Sequence, residues 1–147
     1  MSYSSKKELE IINHINKNYL GEEEVPGPNS NKVILSWIKL FLPDSTDDSN
    51  IAWCSIFVAS VLTELGVDCK KYIAARKWLN HGTKLDYPRY GCLCILYRGK
   101  KDGWKGHVGF FIRETKSHVL LLGGNQSDKV RYSWYSKSKL LGYRGIS

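Results

Sequence analysis

A chain of 147 residues is long enough for one domain with a sizeable core, and 42% apolar and 24% charged residues are ordinary for a soluble globular protein. No apolar run approaches the ~20 residues that a membrane-spanning helix needs. The polar N-terminus also lacks the apolar segment of a signal peptide. These features predict a single domain over residues 1–147 and exclude membrane insertion.

The net charge of +8 is unevenly distributed along the chain. Residues 1–50 contain five Lys and Arg against eight Asp and Glu, whereas residues 51–147 contain seventeen against six. A basic region of this size indicates an anionic partner, either a nucleic acid or an anionic surface such as a bacterial cell wall. A solvated basic face without a partner has the same composition, so charge alone does not decide between these alternatives.

Two helices are predicted in the first third of the chain. Ser5 and Glu8 fit a capping box for a helix over residues 5–19. Its apolar residues recur at helical spacing and are Leu9, Ile12, Ile15 and Tyr19. After a linker that contains Gly and Pro, the apolar spacing predicts a second helix over residues 31–42, which Pro43 and the following polar run end.

A third predicted helix lies within the apolar stretch IAWCSIFVASVLTELG, residues 51–66. Asp48, Ser49 and Asn50 are the expected caps at its start, and Gly66 is the expected C′ residue. A short helix is predicted over residues 74–80. Five β-rich runs follow Pro88, namely CLCILYR, HVGFFIRE, HVLLLGG, VRYSWY and LLGYR. Helices followed by strands predict an α+β fold, with N-terminal helices packed on an antiparallel sheet of about five strands.

Cys54 lies at the predicted start of the third helix. The positive end of a helix dipole favours a thiolate, and the first-turn N–H groups can stabilise an oxyanion. A small buried side chain would fit the same position, so a nucleophile requires a base nearby. For the other three cysteines, Cys69, Cys92 and Cys94, we favour core packing as reduced thiols, because no secretion signal is present and a lone CxC is not a zinc signature.

His107 is the candidate base, because it lies between Gly106 and Gly109 at the start of an apolar strand. If this strand and the next pair around a turn at Lys116, His107 faces Asn125, whose side chain would fix the imidazole tautomer. A shift of one residue in the pairing would instead bring Gly124 or Gln126 to the histidine.

Three motifs carry a family resemblance: AWCSIFV at residues 52–58, GHVGFFI at 106–112 and LLLGGNQSDKV at 120–130. With these motifs, residues 24–144 resemble the papain-like amidohydrolases that cut peptidoglycan, namely the CHAP (cysteine, histidine-dependent amidohydrolase/peptidase) and NlpC-type groups. The resemblance implies a papain-like fold whose core covers residues 24–147, preceded by an N-terminal helix and linker over 1–23. It also implies Cys54 as nucleophile, His107 as base and Asn125 as third residue, with Gln126 as the alternative. No metal or cofactor is implied.

Several aromatic residues are candidates for the walls of a substrate cleft, although we favour a packing role for most of them. They are Trp53, Trp104, Trp134 and Tyr132.

The residues and the resemblance together predict a cysteine amidase or endopeptidase that acts on peptidoglycan as a monomer, either an endolysin or a delivered toxin. An immunity protein is a candidate partner. We expect synthesis in the cytoplasm and release to the wall through a holin or a secretion system. Two alternatives are a non-catalytic wall-binding module on the same fold and a basic nucleic-acid-binding domain, which the segment KVRYSWYSKSK at 129–139 suggests. No phosphate loop, zinc spacing or RNA-binding signature accompanies that segment, so nucleic acid is not the expected partner.

Overall fold

The computed structural model describes residues 3–25, 31–41, 53–70 and 72–147. Three α-helices come first: α1 (Lys6–Asn18), α2 (Lys32–Lys39) and α3 (Cys54–Glu64). A 3-10 helix (Ala75–Asn80) follows, and a second one (Lys137–Lys139) separates the last two strands. The six strands are β1 (Thr83–Leu85), β2 (Leu93–Tyr97), β3 (Gly106–Glu114), β4 (His118–Gly123), β5 (Arg131–Ser136) and β6 (Leu140–Gly145).

The six strands form one antiparallel sheet in the order β1-β6-β2-β3-β4-β5. The predicted α+β class is therefore confirmed, and the five predicted strands correspond to β2 through β6. The sheet has one more strand than predicted, because β1 pairs with β6 through Thr83 and Gly145. The helix predicted over residues 74–80 is a 3-10 helix rather than an α-helix.

Helix α1 begins with the predicted capping box of Ser5 and Glu8. The Glu8 carboxylate is fully buried, pairs with Arg89 at 2.7 Å and accepts the backbone N–H of Ile146 at 2.9 Å. A buried charge is tolerated because these partners satisfy it. The predicted apolar residues Ile12 and Ile15 are buried together with Ile11, whereas Leu9 is 47% exposed.

Helix α2 is capped by Asn31, whose side chain accepts the N–H groups of Val33 and Ile34. Its buried residues are Ile34, Trp37 and Ile38, as the apolar spacing predicts. The expected end of this helix at residue 42 and the role of Pro43 lie outside the described residues.

Helix α3 is buried on all sides from residue 54 to residue 62, which makes it the central helix of the main core. Its N-cap is Trp53, whose side chain makes no capping hydrogen bond. The expected caps Asp48, Ser49 and Asn50 lie outside the described residues. At the other end Gly66 has φ 75°, and the N–H groups of Gly66 and Val67 bond to Thr63 and Leu62, so the predicted C′ glycine is confirmed.

The sheet contributes to two apolar clusters. Leu93 and Ile95 of β2 join the main core with the three α-helices. Cys94 and Leu96, which alternate with them, belong to a smaller cluster on β2, β3, β4 and β6. No described helix is long and apolar enough to cross a membrane.

Candidate active site

Cys54 is the first residue of α3 and is only 6% exposed. Its side chain lines a cleft of about 360 Å³ together with His107, Asn125 and Tyr135. Because the first N–H groups of a helix lack intrahelical partners and Trp53 supplies no side-chain cap, this turn presents hydrogen-bond donors beside the thiol. A single short segment thus carries both a nucleophile and potential oxyanion donors.

His107 lies on β3, opposite Leu96 of β2, and is 7% exposed. Its imidazole stacks on the ring of Tyr135, with 5.0 Å between the ring centroids and 30° between the planes. The imidazole Nε2 lies 2.9 Å from Oε1 of Gln126. The ring is therefore held both on one face and at one nitrogen.

The amide of Gln126 has a defined orientation. Its Nε2 donates to the backbone carbonyls of Leu121 at 3.1 Å and Arg131 at 2.5 Å, so its Oε1 is the atom that accepts from His107. Nε2 of the imidazole must then carry a proton. The remaining nitrogen, Nδ1, is left for the thiol of Cys54.

Three glycines create the space that this arrangement needs. A Cβ on Gly123 would lie 2.5 Å from Oε1 of Gln126, and a Cβ on Gly109 would lie 3.3 Å from it. A Cβ on Gly124 would come within 2.7 Å of both Phe57 and the ring of Trp53. Side chains at Gly109 and Gly123 would therefore crowd the Gln126 amide, and one at Gly124 would keep the loop after β4 away from the start of α3.

The hydrogen bond that the sequence predicts for Asn125 is made by Gln126 instead. The predicted register is present nearby, where Phe110 pairs with Leu122. However, β4 ends at Gly123, and Asn125 has φ 55°, a left-handed conformation that stops the ladder. Ser127 and Asp128 are also left-handed, with φ 54° and 64°. Asn125 lines the cleft, and the next side chain contacts the imidazole.

The pKa values of Cys54 and His107 move in opposite directions. Burial opposes ionisation of the Cys54 thiol, but the charge and hydrogen bond of His107 and a backbone hydrogen bond from Val108 outweigh it, so the thiol pKa is lowered. Burial likewise opposes protonation of His107, but the charge and hydrogen bond of Cys54 and the bond to Gln126 raise the imidazole pKa. Both shifts act in the direction of a thiolate–imidazolium pair.

The aromatic residues predicted as cleft walls lie elsewhere. Trp53 is fully buried and its Nε1 donates to Glu24 at 2.8 Å, so it belongs to the core. Trp104 is 76% exposed and lines a neighbouring depression. For the other two, the Arg113 guanidinium lies over the ring of Trp134, and the Tyr132 hydroxyl donates to Asn16.

Tyr97 and Tyr135 are the tyrosines that line the cleft, and the sequence analysis missed both. Tyr97 could have been found from the β2–β3 hairpin, because it pairs with Gly106, the residue immediately before His107.

The other cysteines differ from Cys54, although none of the four forms a disulfide bond. Cys92 and Cys94 are fully buried. Burial raises the pKa of Cys92 to about 12 and also raises that of Cys94. Cys69 is partly buried against the main core. Within the described ranges, no group of three or more His, Cys, Asp and Glu side chains is placed to hold a metal ion.

Comparison with known proteins adds no family assignment to this geometry. The sequence matches no protein-family model. It also has no significant similarity to a curated protein sequence.

Proposed function

We propose that this chain is a cysteine-dependent hydrolase on a papain-like fold, which cleaves an amide bond in the peptide part of bacterial peptidoglycan. The proposal rests on one observation: the polarised Cys54 thiol lies beside His107, whose other nitrogen is fixed by Gln126. Peptidoglycan as substrate is supported by the sequence resemblance over residues 24–144 and by the basic composition of residues 51–147.

In the first half of the reaction, the Cys54 thiolate attacks the carbonyl carbon of the scissile amide. The backbone N–H of Cys54, at the N-terminus of α3, stabilises the tetrahedral oxyanion. Protonated His107 then gives its Nδ1 proton to the leaving amine, and the C–N bond breaks to leave a thioester on Cys54.

In the second half, a water molecule replaces the amine. Neutral His107 accepts a proton from this water, whose oxygen attacks the thioester carbonyl. Collapse of the second tetrahedral intermediate breaks the C–S bond and releases the carboxylic acid. The bond from Nε2 to Gln126 persists throughout, so the imidazole exchanges protons only at Nδ1.

A cysteine exchange tests the proposal. Cys54→Ala should abolish the release of soluble fragments from purified cell walls, with mass spectrometry of the released peptides identifying the bond that is cut. Cys69→Ala is the matched control, because its thiol lies outside the cleft that Cys54 lines, and it should retain activity.

Full fragment release by Cys54→Ala would overturn the proposal. Wall binding that releases no fragments and is insensitive to alkylation of Cys54 would also overturn it, in favour of a non-catalytic wall-binding module.

A further inference from the structure

The mouth of the cleft carries positive charge. Arg98 and Lys139 both line it, and both are exposed. No carboxylate is found among the described residues that line the cleft with them. The charge that a substrate meets beside Cys54 is thus of one sign, which attracts an anionic group.

Arg98 is held close to the reacting pair. Its Nε donates to the carbonyl of Gly106, next to His107, at 3.1 Å. This bond uses one of the five N–H donors of the guanidinium. The charge of Arg98 also acts on both reacting groups, because it favours the Cys54 thiolate and disfavours the His107 imidazolium.

Lys139 is positioned by Tyr97. Its Nζ lies 5.0 Å from the centroid of the Tyr97 ring, within the range of a cation–π interaction. In the part of the chain that the structure describes, neither Lys139 nor Arg98 forms an ion pair with a carboxylate. Both cations are therefore available to a ligand.

We propose that Arg98 and Lys139 are specificity-determining residues that select substrates with a carboxylate next to the scissile amide. The inference rests on the proposed function, in which Cys54 attacks that amide, and it adds the substrate class: an acidic peptide whose carboxylate is held at the cleft mouth. The cleft volume of about 360 Å³ is at the small end for ligand sites, so a carboxylate and the scissile amide have to be near neighbours.

Two small alkylating reagents test the charge preference without requiring hydrolysis. Iodoacetate and iodoacetamide both form a thioether when the Cys54 thiolate displaces iodide. Iodoacetate carries a carboxylate, whereas iodoacetamide carries a neutral carboxamide in its place. The measured quantity is the ratio of the iodoacetate to the iodoacetamide rate at Cys54, relative to the same ratio for free cysteine. Changes in thiolate fraction cancel in this ratio.

We expect the ratio to exceed that of free cysteine. It should fall about fivefold in each of Arg98→Gln and Lys139→Gln, because one exposed charge pair at close range changes a rate by about that factor. Lys116→Gln, in the exposed turn between β3 and β4, is the matched control and should leave the ratio unchanged. Added salt should reduce the preference of the unmodified protein.

A ratio equal to that of free cysteine, or one that neither Arg98→Gln nor Lys139→Gln changes, overturns the inference. The iodoacetamide rate of each variant shows that Cys54 is still in its folded environment.

A second measurement links the preference to turnover. Purified walls whose carboxylates are converted to amides with carbodiimide and ammonia should be hydrolysed more slowly than untreated walls, and Arg98→Gln should narrow that difference. If neither wall is hydrolysed, the proposed function fails while the alkylation ratio still decides the charge preference. Equal hydrolysis of both walls overturns this inference but leaves the proposed hydrolase function standing.

Discussion

Cys54 and Cys94 are both buried, yet their surroundings change the thiol pKa in opposite directions. Burial disfavours the thiolate at both positions. At Cys54 the imidazole of His107 and the backbone of Val108 reverse that effect, whereas Cys94 packs among apolar residues of the second cluster. Reactivity in this chain is thus determined by the groups that face a buried thiol, and burial alone makes a cysteine inert.

Removing the imidazole of His107 should have the largest effect on the difference in thiol pKa between Cys54 and Cys94. His107→Ala deletes the base and the charge that lowers the Cys54 pKa, so wall hydrolysis should fall by about 10²–10⁴-fold. The Cys54 pKa should rise towards that of Cys94, because the burial remains. The rate of iodoacetamide alkylation across pH measures this rise. His118→Ala, at the exposed start of β4, is the control. An unchanged Cys54 pKa in His107→Ala would contradict the assignment.

The native protein should show the same contrast without any substitution. At neutral pH, Cys54 should react with iodoacetamide at least about 100-fold faster than Cys92 or Cys94, because burial holds their pKa values far above pH 7. Peptide mapping by mass spectrometry after brief alkylation measures each site. Unfolding in denaturant should remove the difference, and equal labelling in the folded state would refute it.

Gln126→Ala should have a smaller effect, because it removes one hydrogen bond from the imidazole. A hydrogen bond to a charged group contributes about 1.5–3 kcal/mol, which corresponds to roughly 10–150-fold in rate. The bond raises the His107 pKa, so its loss should lower that pKa. The imidazolium is active below its pKa and is lost above it, so the alkaline limb of the pH–rate profile should move to lower pH.

Asn125→Ala is the paired variant for this experiment. The neighbouring Asn125 makes no described hydrogen bond to His107, so its substitution should leave the alkaline limb in place. A limb that moves with Asn125→Ala but not with Gln126→Ala would restore the original expectation for Asn125.

A substitution in the smaller apolar cluster of β2, β3, β4 and β6 should have the smallest effect on activity. Cys94→Ser places a hydroxyl among apolar residues, which should cost about 1–3 kcal/mol of unfolding free energy. Activity per folded molecule should be unchanged. Cys54→Ser, by contrast, should lose activity. Denaturant titration and wall hydrolysis separate the two outcomes, and a loss of activity in folded Cys94→Ser would show that the clusters are coupled.

Features set by local sequence were predictable. The capping box of Ser5 and Glu8, the C′ glycine of α3 and the five main strands each follow from signals within a few residues. The predicted hairpin register holds where Phe110 pairs with Leu122 and Phe111 with Leu121, but it shifts by one residue at Arg113, nearer the turn.

Features set by distant contacts or by backbone conformation were not predictable. Strand β1 is three residues long, lacks apolar alternation and depends on pairing with β6, about sixty positions further along the chain. Gln126 rather than Asn125 contacts the His107 imidazole because the backbone after β4 is left-handed, and side-chain periodicity does not encode this conformation. The position of Trp53 in the core depends on the close approach of Gly124.

The space beside Gln126 has a consequence for recognising this arrangement in other sequences. Gly109 and Gly123 face the Gln126 amide from neighbouring strands, and a side chain at either position would disturb it. The informative pattern is therefore a histidine followed two residues later by glycine, and a later Gly-Gly-x-Gln in which the last residue is the amide. A chain with the cysteine and histidine but with bulky residues at those glycines would need a different way to hold its imidazole.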